Sequence, residues 1–191
     1  MNWILASQSP RRRELLGLFH LPFSVQVADV DETMDPDLPP DREVARVSRA
    51  KAEAIPRSPD DIVIAADTIV VLGSRVLGKP ADAAQALEML TALSGKDHQV
   101  MTGVTILRGD RVLTHTEITD IRFRPLSRKE ILAYIATGEP MDKAGAYGIQ
   151  GGAALFAEGI HGDYYNVMGL PVCRLWQMLC RIAPEIMEDF Q

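Results

Sequence analysis

Apolar positions along this chain fall into helical and strand rhythms that alternate from one end to the other. Trp3-Ile4-Leu5-Ala6 is a short apolar run of strand character that passes through Ser7-Gln8-Ser9 into Pro10. Serine followed by proline starts a helix, because the hydroxyl accepts a free first-turn N–H and the proline φ suits the first helical position. Leu15, Leu18 and Phe19 then supply that helix's apolar stripe. Phe23 to Val27 alternates as a strand, and the acidic stretch from Asp29 to Asp41, with Pro36, Pro39 and Pro40, reads as a loop. A second helix is predicted from about Asp41 to Ile55, stopped by Pro56.

From Ile62 to Leu72 the chain is continuously apolar except for Asp67 and Thr68, the pattern of a strand covered on both faces. A turn at Gly73-Ser74-Arg75 leads through Gly78-Lys79-Pro80 to a helix from about Asp82 to Leu93, ended by Gly95. Gln99 to Leu107 and Val112 to Phe123 form a hairpin around Gly109-Asp110. Ser127-Arg128-Lys129-Glu130 has capping-box spacing and begins a helix that Gly138 closes. A glycine-rich loop from Glu139 to Gly152, a short strand through Leu155-Phe156-Ala157 and a last helix from about Pro171 to Ile182 complete the pattern. Interleaved helices and strands predict an α/β fold around a mixed, twisted sheet.

At 191 residues the chain is sized for one domain, with two lobes around a cleft as the expected arrangement. Apolar residues at 47% and charged residues at 24% exclude a disordered chain. No apolar run reaches the roughly 18 residues of a membrane span, and the first residues lack the basic region of a signal peptide, so a cytoplasmic, membrane-free protein is expected. The net charge of −6 gives no broad positive field, so no nucleic-acid partner is expected and any phosphate must meet local cations. Cys173 and Cys180 are expected as core thiols, too far apart on a helix to bridge. The four histidines are scattered and offer no zinc spacing.

Several residues break local rules. Arg11, Arg12 and Arg13 occupy the first turn of a helix, where the dipole prefers acidic side chains. With Ser7 and Ser9 ahead of them they suit a polyphosphate at a helix N-terminus, and Arg13 is expected to point elsewhere. Asp67 interrupts an apolar strand, where a carboxylate requires a metal, a base partner or a water-filled cleft. It is either a working base or metal ligand, or a residue at the sheet's solvated end tied by backbone N–H groups. Lys51 alone reads as a solvated charge. Lys79 sits in a rigid Gly-Lys-Pro turn that can aim an ammonium. Asp29, Asp31 and Glu32 could supply oxygen ligands to a hard cation, and Gln150, among the glycines of residues 142–152, carries an amide able to read a base edge.

Taken together, these segments resemble the Maf family of nucleotide pyrophosphatases, a family linked by name to septum formation. The likeness rests on Ser7-x-Ser9-Pro10-Arg11-Arg12, Asp31-Glu32, Lys51-Ala52, Ala66-Asp67-Thr68-Ile69-Val70, Gly78-Lys79-Pro80, residues 142–151 (DKAGAYGIQG) and Val167-Met168-Gly169-Leu170-Pro171, in family order. The resemblance implies an elongated, two-lobed α/β fold with a deep cleft, similar to the pyrophosphatases that remove inosine triphosphate. It implies hydrolysis of a nucleoside triphosphate between the α and β phosphates with a divalent metal, Mg²⁺ or Mn²⁺. Asp67 matches the proton acceptor, Ser9, Arg12, Lys51 and Lys79 match triphosphate-holding positions, and Glu32 matches a position near the metal, which Asp67 would share. Arg11, Thr68 and Gln150 look like the dTTP- and UTP-hydrolysing branch, and a homodimer is a family-level expectation. Hydrolysis of a modified purine triphosphate such as 7-methyl-GTP, or a non-catalytic nucleotide-binding role in cell division, are the competing expectations.

Overall fold

In a computed structural model that describes residues 2–27, 29–35 and 37–189, the apolar run Ile62–Leu72 forms one uninterrupted strand. Numbered along the chain, the elements are β1 (Trp3–Leu5), α1 (Pro10–Gly17), β2 (Phe23–Val25), α2 (Pro40–Glu53), β3 (Ile62–Leu72), β4 (Arg75–Leu77), α3 (Ala83–Leu93) and β5 (Asp97–Arg108). They continue with β6 (Arg111–Phe123), α4 (Arg128–Ile135), β7 (Ala157–His161), α5 (Tyr164–Met168), α6 (Val172–Ile182) and α7 (Ile186–Asp189). The strands lie in one sheet in the order β2-β1-β3-β5-β6-β7, with β4 paired to β3. β1 runs parallel to β2 and β3, whereas β3–β4 and β6–β7 are antiparallel, so the sheet is mixed as the pattern predicts.

The chain gathers into two compact units. The first takes the chain up to Asp67, Thr102–Glu117 and everything from Gly169 onward. Its core joins Ile4, Val63 and Ala65 of the sheet to Ala52 and Ile55 at the end of α2. α2 lies hard against β5: a β-carbon at Gly103 would overlap the Val44 carbonyl, and Ser48 Oγ shares a buried 2.9 Å hydrogen bond with Thr105 Oγ1. The depth and angle at which α2 sits are therefore set by a missing side chain and a buried hydroxyl pair.

The second unit takes Thr68–Met101 and Ile118–Met168. Its core packs Leu90 and Leu93 of α3 and Ile131 and Tyr134 of α4 around edge-on aromatic contacts among Phe123, Tyr147 and Phe156. The α4 capping box forms as its spacing predicts, Ser127 and Glu130 each accepting from the other's backbone N–H. The Arg124 guanidinium and the Ser127 donors pull the Glu130 carboxyl down to about 2.

Some expectations are corrected. In α1 the buried apolar residues are Leu15 and Leu16, while Leu18 is 49% exposed; Phe19, beyond the helix, stacks on Trp176. The strand begun at Phe23 ends at Val25, the second helix runs Pro40–Glu53, and Pro36 of the acidic loop lies outside the described residues. Gly152–Leu155 is a short 3₁₀ turn with Leu155 turned out, and the strand follows at Ala157–His161. β4, α5 and α7 are additional. Cys173 is exposed and Cys180 half-buried, because the buried stripe of α6 is Leu175, Met178, Leu179 and Ile182 and both thiols fall off it.

Candidate active site

Ser9 caps α1 as expected, its Oγ accepting from the Arg12 amide at 3.4 Å. Ser7 Oγ accepts from the Ser9 amide at 3.2 Å and from Arg12 Nη1 at 3.2 Å. Arg12 Nε donates to the Gly169 carbonyl at 2.8 Å, so the guanidinium is gripped at two points. Gly169 holds φ 109°, a conformation that a side chain would strain, and its carbonyl is the one that Arg12 meets. No acidic residue occupies the first turn of α1, leaving a positive helix end reinforced by Arg11 and Arg12, while Arg13 is exposed as expected.

Asp67 lies where the burial of β3 relaxes. Its partner is Lys51, in the last turn of α2: Nζ stands 2.8 Å from Asp67 Oδ1 and 3.0 Å from Glu32 Oε1. The Lys51 and Asp67 side chains are only 15% and 16% exposed, so this pair is far less screened than a surface ion pair. Arg12 belongs to the same electrostatic group. Loss of water around its guanidinium lowers its pKa, the Asp67 and Glu32 carboxylates push it back up, and Arg11 adds to the lowering. The first unit thus brings Ser7, Ser9, Arg11, Arg12, Glu32, Lys51 and Asp67 into one cluster. Lys51, which reads as a solvated charge from its local context and gains a site role only through the family resemblance, is its hub.

The second unit carries Thr68, Lys79 and Gln150. Thr68 follows Asp67 on β3. Lys79 is exposed in its Gly-Lys-Pro turn, and the preceding Gly78 carbonyl accepts from the Gly145 amide at 3.0 Å, which ties that turn to the glycine-rich loop. Gln150 is exposed near the end of the same loop. Glu139 opens the loop and accepts from Tyr134 Oη at 2.9 Å and from the Gly152 amide at 3.0 Å.

Sequence reasoning assigns no site role to Gly169, Gly103, Ser48 or Glu139. A glycine in the otherwise helix-forming Val167-Met168-Gly169 run was the available signal for the first. Nothing local marks the others, whose importance comes from what lies across from them.

Among the described residues no group of three or more His, Cys, Asp or Glu is arranged to hold a metal ion. Glu32 and Asp67, which share one ammonium, are a different kind of donor set. Hard cations such as Mg²⁺ commonly use one or two protein carboxylates and take the rest of their oxygens from phosphates and water, so this pair fits an ion that arrives with a phosphate ligand.

A hydroxyl-lined, arginine-bearing helix start in the same unit as a lysine-clamped carboxylate is the charged cluster of this α/β protein. The family model described as Maf-like protein matches residues 2–182, and the chain belongs to that family. It is 56% identical over 181 residues to a dTTP/UTP pyrophosphatase of Symbiobacterium thermophilum, covering 94% of this chain and 93% of that one. It is 51% identical over 175 residues to a dTTP/UTP pyrophosphatase of Bacillus cytotoxicus, covering 91% and 92%. A HAM1 protein from Coxiella burnetii superposes with a TM-score of 0.48 at 12% identity, over 95% of this chain and 99% of that one.

Proposed function

We propose that this protein hydrolyses dTTP and UTP between the α and β phosphates, releasing the nucleoside monophosphate and pyrophosphate. The observation that carries the chemistry is the Asp67 carboxylate held by Lys51 beside the Arg12 helix terminus. The substrate class follows from relatives of 50–56% identity that bear the name dTTP/UTP pyrophosphatase.

In this mechanism the free N–H groups of α1, with the Ser7 and Ser9 hydroxyls, receive the phosphate chain. Arg11, Arg12, Lys51 and Lys79 offset the charge that otherwise repels a nucleophile from phosphorus. Asp67 orients a water and takes its proton. The water oxygen bonds to the α phosphorus, the bond from that phosphorus to the bridging oxygen breaks, and pyrophosphate leaves with the bonding electrons. A divalent cation bound by Glu32 and Asp67 would supply further charge neutralisation on the phosphates. Arg11, Thr68 and Gln150 select the base, Gln150 through an amide that both donates and accepts. A homodimer is part of the same proposal, by family resemblance.

The test is incubation with single nucleoside triphosphates and Mg²⁺ or Mn²⁺, assayed separately for pyrophosphate and orthophosphate. Pyrophosphate from dTTP and UTP is expected. Orthophosphate as first product would overturn the cleavage position, and equal rates on 7-methyl-GTP would overturn the pyrimidine assignment.

A further inference from the structure

The loop that carries Gln150 has four glycines between residues 145 and 152, and glycine-rich backbone costs more entropy to order than any other. Glycines bring no side chains of their own to pin such a segment, so the glycine positions around Gln150 take their order from a neighbour. That neighbour is Glu139. Its Oε1 accepts from Tyr134 Oη at 2.9 Å and its Oε2 accepts from the Gly152 amide at 3.0 Å. The Gly151 backbone lies so close to the carboxylate that a β-carbon there would overlap it, and at Gly148 a β-carbon would stand 3.0 Å from Oε1. Tyr134 Oη in turn accepts from the Gly148 amide at 3.0 Å. Lys143, whose ammonium donates to the Glu139 carbonyl at 2.7 Å, also packs its side chain close against Gly148. Gln150 thus stands between two glycines that both rest on this carboxylate, with Ile149 beside it buried at 6% exposure.

We propose that Glu139 is a positioning residue for base recognition: its carboxylate, held by Tyr134 and by the Gly152 amide, sets the backbone from which Gln150 reads the pyrimidine. This rests on the proposed function above. The first half of the loop is anchored separately, by the Gly145 bond to Gly78 and by burial of Ala146 and Tyr147, so the turn bearing Lys79 does not depend on Glu139. Glu139 therefore acts on the choice of base more than on the chemical step.

The experiment compares wild type with Glu139→Gln, Tyr134→Phe and Gln150→Ala, measuring kcat and KM for UTP, dTTP and GTP together with thermal midpoints. Gln places an amide NH2 donor where one of the two donors now points, and Phe removes the bridge from Gly148 to Glu139, so the two variants disturb the same contact from different sides. For both, KM for UTP and dTTP is expected to rise about tenfold, kcat to change less than about threefold, and the preference for UTP over GTP to fall about tenfold. If both variants keep the wild-type preference while Gln150→Ala loses it, Glu139 has no part in recognition and the proposal fails alone. Parallel loss of activity on every nucleotide, following the thermal midpoint, would show a structural role only and also overturn it. If wild type itself shows no pyrimidine preference, the proposed function fails first and takes this inference with it.

Discussion

The Lys51 ammonium lies 2.8 Å from Asp67 Oδ1 and spans to Glu32 Oε1 at 3.0 Å, so one cation from α2 holds a strand carboxylate and a loop carboxylate together. Replacing Lys51 with Met leaves the Asp67 and Glu32 carboxylates without the cation they share. We expect a loss of kcat of about 100-fold or more with UTP, with Lys51→Arg retaining part of the rate. A Lys51→Met enzyme within threefold of wild type would show that the bridge is ornamental to catalysis.

Asp67→Asn keeps the shape of the side chain and removes its capacity to accept a proton. Turnover is expected to fall by about 1,000-fold, within the range for loss of a general base, while a non-hydrolysable UTP analogue still binds. Calorimetric titration alongside steady-state kinetics checks both halves.

Arg12 donates twice at once, from Nε to the Gly169 carbonyl and from Nη1 to Ser7 Oγ. A lysine offers one point charge and cannot reproduce the fork. Arg12→Lys should therefore raise KM for UTP by roughly tenfold or more despite conserved charge. An unchanged KM would mean that the fork geometry is irrelevant to the phosphate chain.

Gly103→Ala introduces a methyl into the Val44 carbonyl. Because α2 must shift, we expect about 1–3 kcal/mol of destabilisation in urea unfolding. Activity at full folding should fall as well, since Lys51 rides on the same helix.

His98 is 3% exposed, bonds Tyr147 Oη through Nε2 at 2.9 Å, and burial holds its imidazole down at about 4 from an ordinary 6.5. The unfolded chain takes up a proton near pH 6.5 and the folded chain only near pH 4. The stability His98 provides as a neutral group is thus complete above pH 6.5 and is lost as pH falls toward 4, by about 3 kcal/mol in all. Urea midpoints of wild type and His98→Gln at pH 7.5 and 4.5 should show wild type losing stability relative to the variant on acidification. A pH-independent difference would rule this out.

Much of the fold was legible because its signals are local. The apolar run 62–72, the Ser9-Pro10 start and the Ser127–Glu130 box each act over a few residues, and all three formed as their patterns predict. The strand near residue 155 slipped because the glycine-rich segment before it lacks the alternation that sets a register. In the candidate site, Asp67 and the arginines stood out by violating their surroundings. Lys51 and Glu139 did not, since a charge on a helix or loop surface is ordinary until its partner is known.

From residue order alone came the periods, the caps and the few charged groups placed against local preference. The partners came only with the folded chain: Lys51 meets a carboxylate 16 residues on, and Arg12 a carbonyl 157 residues away. Coulombic and hydrogen-bond energies depend on separation in space, and separation in space is decided by how strands and helices cross, which no short window of sequence contains.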